Sequence, residues 1–157
     1  MQYRPTRNCE ASIIEFLRDE LTASWTNIHI EKTFTKIYGL SLPAICVRCG
    51  TTSYDPVEIG GNSLKREPQI LIDIFASSDG QRLDLKDFVI DVIKNGCIYY
   101  NYEIESGAIK SKVASGRIRV LNIEDTPINF EEDRNSLDIH DRYRNLITLT
   151  ISTGKVE

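Results

Sequence analysis

Residues 68–96, PQILIDIFASSDGQRLDLKDFVIDVIKNG, read as a strand, a polar turn and an amphipathic helix that runs out to a glycine stop. Successive side chains alternate across a strand. In 69–76, Ile70, Ile72, Ile74 and Ala76 therefore line one face, and Leu71 and Phe75 sit on the other with Asp73 between them. A strand apolar on both sides is either central and covered twice, or covered once and completed by a partner subunit. Leu71 and Phe75 are thus candidate interface residues. The following helix has Asp84 as its candidate N-cap, Asp87 as a weaker capping-box partner, and Leu83 and Phe88 at staple spacing. Leu85, Phe88, Val89, Val92 and Ile93 form its buried stripe. Lys94 complements the helix dipole and Asn95-Gly96 supplies a left-handed stop.

Upstream, residues 9–22 predict a first helix, with Ile13, Ile14, Leu17 and Leu21 on one stripe and Thr6 or Asn8 as its cap. Residues 27–32 predict a strand with Ile28 and Ile30 on one face and His29 on the other, toward solvent or a partner. A second strand is expected at 44–51, and Pro56, Gly60, Gly61 and Pro68 bracket a loop. Downstream only strands are expected. Residues 97–105 and 117–123 read as a long projecting β-hairpin whose tip, 107–115, carries Lys110 and Lys112. The closing strand, 144–153, has Ile147, Leu149 and Ile151 on one face and Leu146, Thr148, Thr150 and Ser152 on the other. These elements predict one α+β domain over 1–157: a mostly antiparallel or mixed sheet of five to six strands with two helices packed on it.

The composition, with 41% apolar and 27% charged residues, is that of an ordinary globular chain. No apolar run approaches the ~18 residues of a membrane span, and residues 1–12 lack the apolar core of a signal peptide. A cytoplasmic site of synthesis is expected. The net charge of −4 gives no footprint for gripping nucleic acid. Between Glu124 and Asp141, seven acids stand against Arg134 alone. That stretch, with Glu131, Glu132 and Asp133 at its centre, is expected to be an acidic loop and, like the basic hairpin tip, a candidate partner surface.

Chemistry-bearing residues are sparse. Cys46-Val47-Arg48-Cys49 has knuckle spacing, but no second pair completes a tetrahedral site, and a separation of three along a strand puts the two thiols on opposite faces. A small redox or metal enzyme using Cys46 and Cys49 is the alternative reading. Asp138, His140 and Asp141 are a possible acid/base or metal group, as are Glu103 and Glu105 if they share a strand face. Ser77-Ser78 lacks the glycines of a nucleophile elbow, and Gly60-Gly61 alone is too weak for a phosphate cradle. Tyr99, Tyr100 and Tyr102 could stack bases but suit sheet packing better. The expectation is no catalytic site, no cofactor and no metal.

The N-terminal helix, the strand pair, LIDIFASSDGQRLDLKDFVIDVIKNG, the hairpin and the closing DRYRNLITLTIS together resemble small neck and tail-completion proteins of long-tailed bacteriophages, in particular the tail terminator. The resemblance spans nearly the whole chain and rests on layout. It implies a virion protein that forms a homohexameric ring on the tail tube and ends growth of tube and sheath. The ring would dock to the head connector while genome DNA crosses the lumen ungripped. Another neck or head-completion adaptor is the alternative within that group.

Overall fold

The computed structural model describes residues 4–130 and 133–154. In chain order the elements are α1 (Pro5–Ser24), β1 (His29–Glu31), α2 (Phe34–Ile37), β2 (Ala44–Pro56), β3 (Leu64–Ala76), α3 (Asp79–Ile93), β4 (Cys97–Glu105), β5 (Ala108–Ile128) and β6 (Tyr143–Ser152), with a 3-10 turn at Arg134–Ser136. The fold class is α+β. One six-stranded sheet runs β1-β2-β3-β6-β5-β4. Only β1 and β2 are parallel, and every other pair is antiparallel.

The register explains the core. Paired residues share a face, so Ile45, Val47, Ile70, Ile72, Ile147 and Leu149 form one apolar surface. α1 covers it with Cys9, Ile13, Leu17 and Leu21, and α3 with Leu85, Val89 and Ile93. The closing strand alternates as its sequence predicts, with Ile147, Leu149 and Ile151 fully buried.

α1 does more than cover the sheet. It packs against both β4 and β2, strands separated in the sheet by β3, β6 and β5. The sheet therefore curls around it. The Tyr100 and Tyr102 amides on the outer edge of β4 donate to Ser12 Oγ (3.0 Å) and Asn8 Oδ1 (3.2 Å). On β2, the Cys49 amide donates to Glu10 Oε2 (2.9 Å). Polar side chains of one helix thus satisfy strand-edge donors that would otherwise be open to pairing.

Several expected boundaries move. α3 begins at Asp79, not at Asp84, because Ser78 accepts from the Gln81 amide while the Gln81 side chain accepts from the Ser77 amide at 2.8 Å. α1 begins at Pro5 without a side-chain cap, so neither Thr6 nor Asn8 serves as one. The expected hairpin tip at 107–115 contracts to Ser106-Gly107, whose positive φ values of 53° and 82° suit a two-residue turn. Lys110 and Lys112 consequently lie within β5, and so does the start of the acidic stretch, through Ile128.

Two hairpin arms result. β2 and β3 run on beyond the end of β6, from Thr52/Pro68 to Pro56/Leu64. β4 and the first half of β5 do the same, since β5 pairs with β6 only from Arg119 onward. Because β3 and β5 both run antiparallel to β6, the two arms project past the same end of the sheet.

Candidate functional site

The second face of the sheet carries Ala44, Cys46, Arg48, Leu71, Asp73, Phe75 and Arg144. Its apolar part is covered from within the chain. Phe75 is fully buried with Ile37, Ala44 and Cys46, and its ring meets Phe34 and Tyr38 edge-on at centroid distances of 6.0 and 6.2 Å. The expectation that Phe75 faces a partner is corrected: α2 covers it. Leu71 is half-buried beside Gly50, where an added Cβ would come within 3.1 Å of Leu71 Cδ1. The signal for α2 was present, since Phe34, Ile37 and Tyr38 stand at i, i+3, i+4 spacing.

Beside this small core lies a buried ionic chain. Asp73, 2% exposed, receives Arg48 Nη2 at 3.5 Å and Arg144 Nη2 at 3.3 Å. Arg144 also reaches Asp141 at 3.5 Å and lies over the Phe75 ring at 4.4 Å. Burial raises the pKa of Asp73 above its ordinary value, although both arginines pull the other way. Tyr38 donates its hydroxyl to Asp141 Oδ1 at 2.7 Å, and burial followed by that bond pushes its pKa up to about 12.

His140 is buried and both ring nitrogens face acceptors: Asp138 Oδ1 at 2.6 Å from Nδ1, and the Leu40 carbonyl at 2.8 Å from Nε2. Only the doubly protonated ring donates to both. Burial opposes that charge, but the bonds to Leu40 and Asp138 outweigh it and raise the pKa above its ordinary value. The structure thus brings Asp138 and His140 together and sends Asp141 elsewhere, to Tyr38 and Arg144. Neither ring nitrogen is left for a substrate. The group is a clasp between the 133–142 segment and the turn after α2.

The remaining expected residues are accounted for singly. Cys46 lies in the small core and Cys49 packs against the main one, so the pair faces opposite sides as the strand spacing predicts. Burial pushes the Cys46 thiol up to about 11 and raises that of Cys49, which disfavours thiolate at neutral pH. Among the described residues, no three His, Cys, Asp or Glu side chains are grouped to hold a metal ion. Glu103 accepts from Ser111 at 3.0 Å, Glu105 pairs with Lys110 at 3.0 Å, and a bulge lies between them. His29 meets Ser41 Oγ at 3.1 Å. Gly60-Gly61 sits exposed in the turn joining the β2–β3 arm.

Lys112 is less free than its place in the hairpin suggests. It pairs with Glu15 of α1 at 2.8 Å and lies 4.4 Å from the Tyr100 ring centre. Tyr102 donates its hydroxyl to the same Glu15 oxygen at 2.8 Å. Tyr99 is buried and accepts from Asn8. The three tyrosines thus tie β4 to α1 or to the arm. Of the three, Tyr100 also lines a groove of about 240 Å³, together with Ser12, Glu15, Phe16, Ile98, Lys112 and Arg117. Asp133 is exposed and caps the 3-10 turn through the Asn135 amide, whereas Glu131 and Glu132 lie outside the described residues.

No protein-family model matches the chain, and no curated protein matches it significantly. None of the helices in the described residues is long and apolar enough to cross a membrane.

Proposed function

We propose that this chain is a subunit of a ring that ends the tail tube of a long-tailed bacteriophage and joins it to the head connector. The observation that carries the reading is the pair of hairpin arms projecting past one end of a curled sheet, which stands beside the resemblance of the sequence layout to tail terminators. Arms at one end offer axial contacts to a tube or connector, while the uncapped parts of β2 and β5 on the two flanks offer lateral ones. Exposed Tyr54, Val57, Ile59, Ile109 and Val113 on the arms supply apolar contact area. A net charge of −4 suits a lumen through which DNA passes without being held by phosphate contacts.

The test is native mass spectrometry and electron microscopy of the protein with and without purified tail tubes. A six-fold ring on tube ends is expected. A monomer under both conditions removes the reading, and binding to connectors but not tubes replaces it with a neck adaptor.

A further inference from the structure

The chain covers some strand edges and leaves others bare. β4 is capped by Asn8 and Ser12, β2 is capped at Cys49 by Glu10, and the edge strand β1 has only three residues. The inner edges of the two arms lie in line with β6, whose continuation past Gly154 is outside the described residues. Two outer edges remain. One is the far end of β2, from Gly50 to Pro56, beyond both β1 and the Glu10 cap. The other is the second half of β5, Arg119 to Ile128, which pairs with β6 on one side and with no described strand on the other. All of Arg119, Leu121, Asn122, Glu124, Asp125 and Thr126 are exposed.

We propose that these two edges pair with each other between copies: the second half of β5 in one copy adds an antiparallel strand to distal β2 of the next. Three features select this occupant. The strands run in opposite directions along the sheet, so a second copy set flank to flank meets antiparallel, and a shift of two residues along the strands brings Asp55 to the level of Arg119. The edges belong to opposite flanks of the sheet, so the contact is heterologous and repeats around a ring or along a filament. Charge sets the register. Arg119 and Asp55 are exposed, make no ion pair among the described residues, and project from the same face of the sheet. Placed opposite each other they form a cross-strand pair, and the paired edges extend one sheet into the next. The inference rests on the ring reading and specifies its contact.

The experiment mixes an Asp55→Cys variant with an Arg119→Cys variant and oxidises the mixture, with the mass distribution of the unmodified protein recorded in parallel. Both sites are exposed, so the fold should tolerate each change. A disulfide-linked heterodimer seen in the mixture and in neither variant alone is expected. Charge reversal gives a second readout: Asp55→Arg and Arg119→Asp should each weaken association, and the two together should restore it. Rings without the cross-link or the charge rescue overturn the edge pairing and leave the ring reading intact. A cross-link in open filaments supports the pairing and removes the ring. A monomer at every concentration, with no cross-link, overturns the pairing.

Discussion

Replacing Phe75 by alanine separates two readings of the apolar second face. If Phe75 were a partner contact, the change would weaken assembly and leave the isolated subunit unaltered. The structure places the ring under α2 at zero exposure, against Ile37, Ala44 and Cys46, with Phe34 and Tyr38 edge-on and Arg144 over its face. A buried aromatic covers roughly 150–250 Å², which at about 25 cal/mol per Å² amounts to ~4–6 kcal/mol of burial. The extended-chain reference inflates that figure. Collapse of a four-residue helix into the cavity would recover part of the loss. A cost of about 3–4 kcal/mol is therefore expected, toward the lower end for Phe→Ala. With a urea m value of about 2 kcal/mol/M, the unfolding midpoint should fall by ~1.5–2 M. The assay is equilibrium urea unfolding of the subunit at a concentration where it is monomeric. Leu71→Ala, half-buried, should lower the midpoint by less. A Phe75→Ala shift no larger than that of Leu71→Ala would refute the assignment of Phe75 to an internal core.

Gly96→Ala should be among the most damaging small changes. Its φ is +74° and a Cβ would overlap the Ile118 carbonyl oxygen, so the loss in unfolding free energy should exceed the ~1–2 kcal/mol of a left-handed conformation alone. Gly107→Ala, at φ +82° with nothing near, should cost only that amount. His140 should make stability pH-dependent. Its folded pKa is raised, so the charged clasp contributes fully below the ordinary histidine value of about 6.5 and is lost as pH rises through the folded value. The stability gap between the unmodified protein and His140→Gln should be widest in mild acid and shrink above that window; a gap that grows with pH would exclude the clasp. Lys112→Glu should destabilise more than Lys110→Glu at low salt, because it sets a carboxylate beside Glu15 and removes a cation from Tyr100. Added salt should narrow the difference, and equal melting temperatures would show that the Glu15 contact is idle.

Much of the fold was legible because hydrophobic periodicity survives wherever one face is buried. The stripe of α1, both faces of β3 and the alternation of β6 all follow from it. Turn chemistry was read less well. Asp84 and Asp87 looked like a cap because a staple-like pair flanked them, yet Ser78 and Gln81 do the capping one and a half turns earlier. Long β5 was split because 107–115 was read as a hairpin tip, whereas 108–128 form one continuous strand in which Gly116 stands at φ 118°. The edge caps Asn8 and Ser12 were invisible for a different reason. A polar residue on a helix shows its spacing in sequence but not which strand it will meet. Asp73 was visible as an intruder in an apolar run, but its partners Arg48 and Arg144 come from the two neighbouring strands.

The apolar second face does not in itself require a neighbour, since α2 and the Asp73–Arg144–Asp141 chain close much of it from within. What the described residues leave open is strand edge, and edge recognition obeys different physics from face recognition. A face is satisfied by any apolar surface of matching shape, at a cost roughly proportional to area. An edge needs backbone donors and acceptors in register, and a slip of one residue moves every side chain to the wrong side. Contact through β2 and β5 is therefore selective for the Arg119–Asp55 register. Apolar burial adds a modest share to it, through exposed Leu121 on β5 and exposed Tyr54 beside Asp55 on β2. Association through such edges should be weak per copy and sensitive to salt, and should gain strength only when successive contacts close on one another. A subunit that is monomeric when dilute and assembled when concentrated is the behaviour this chemistry dictates.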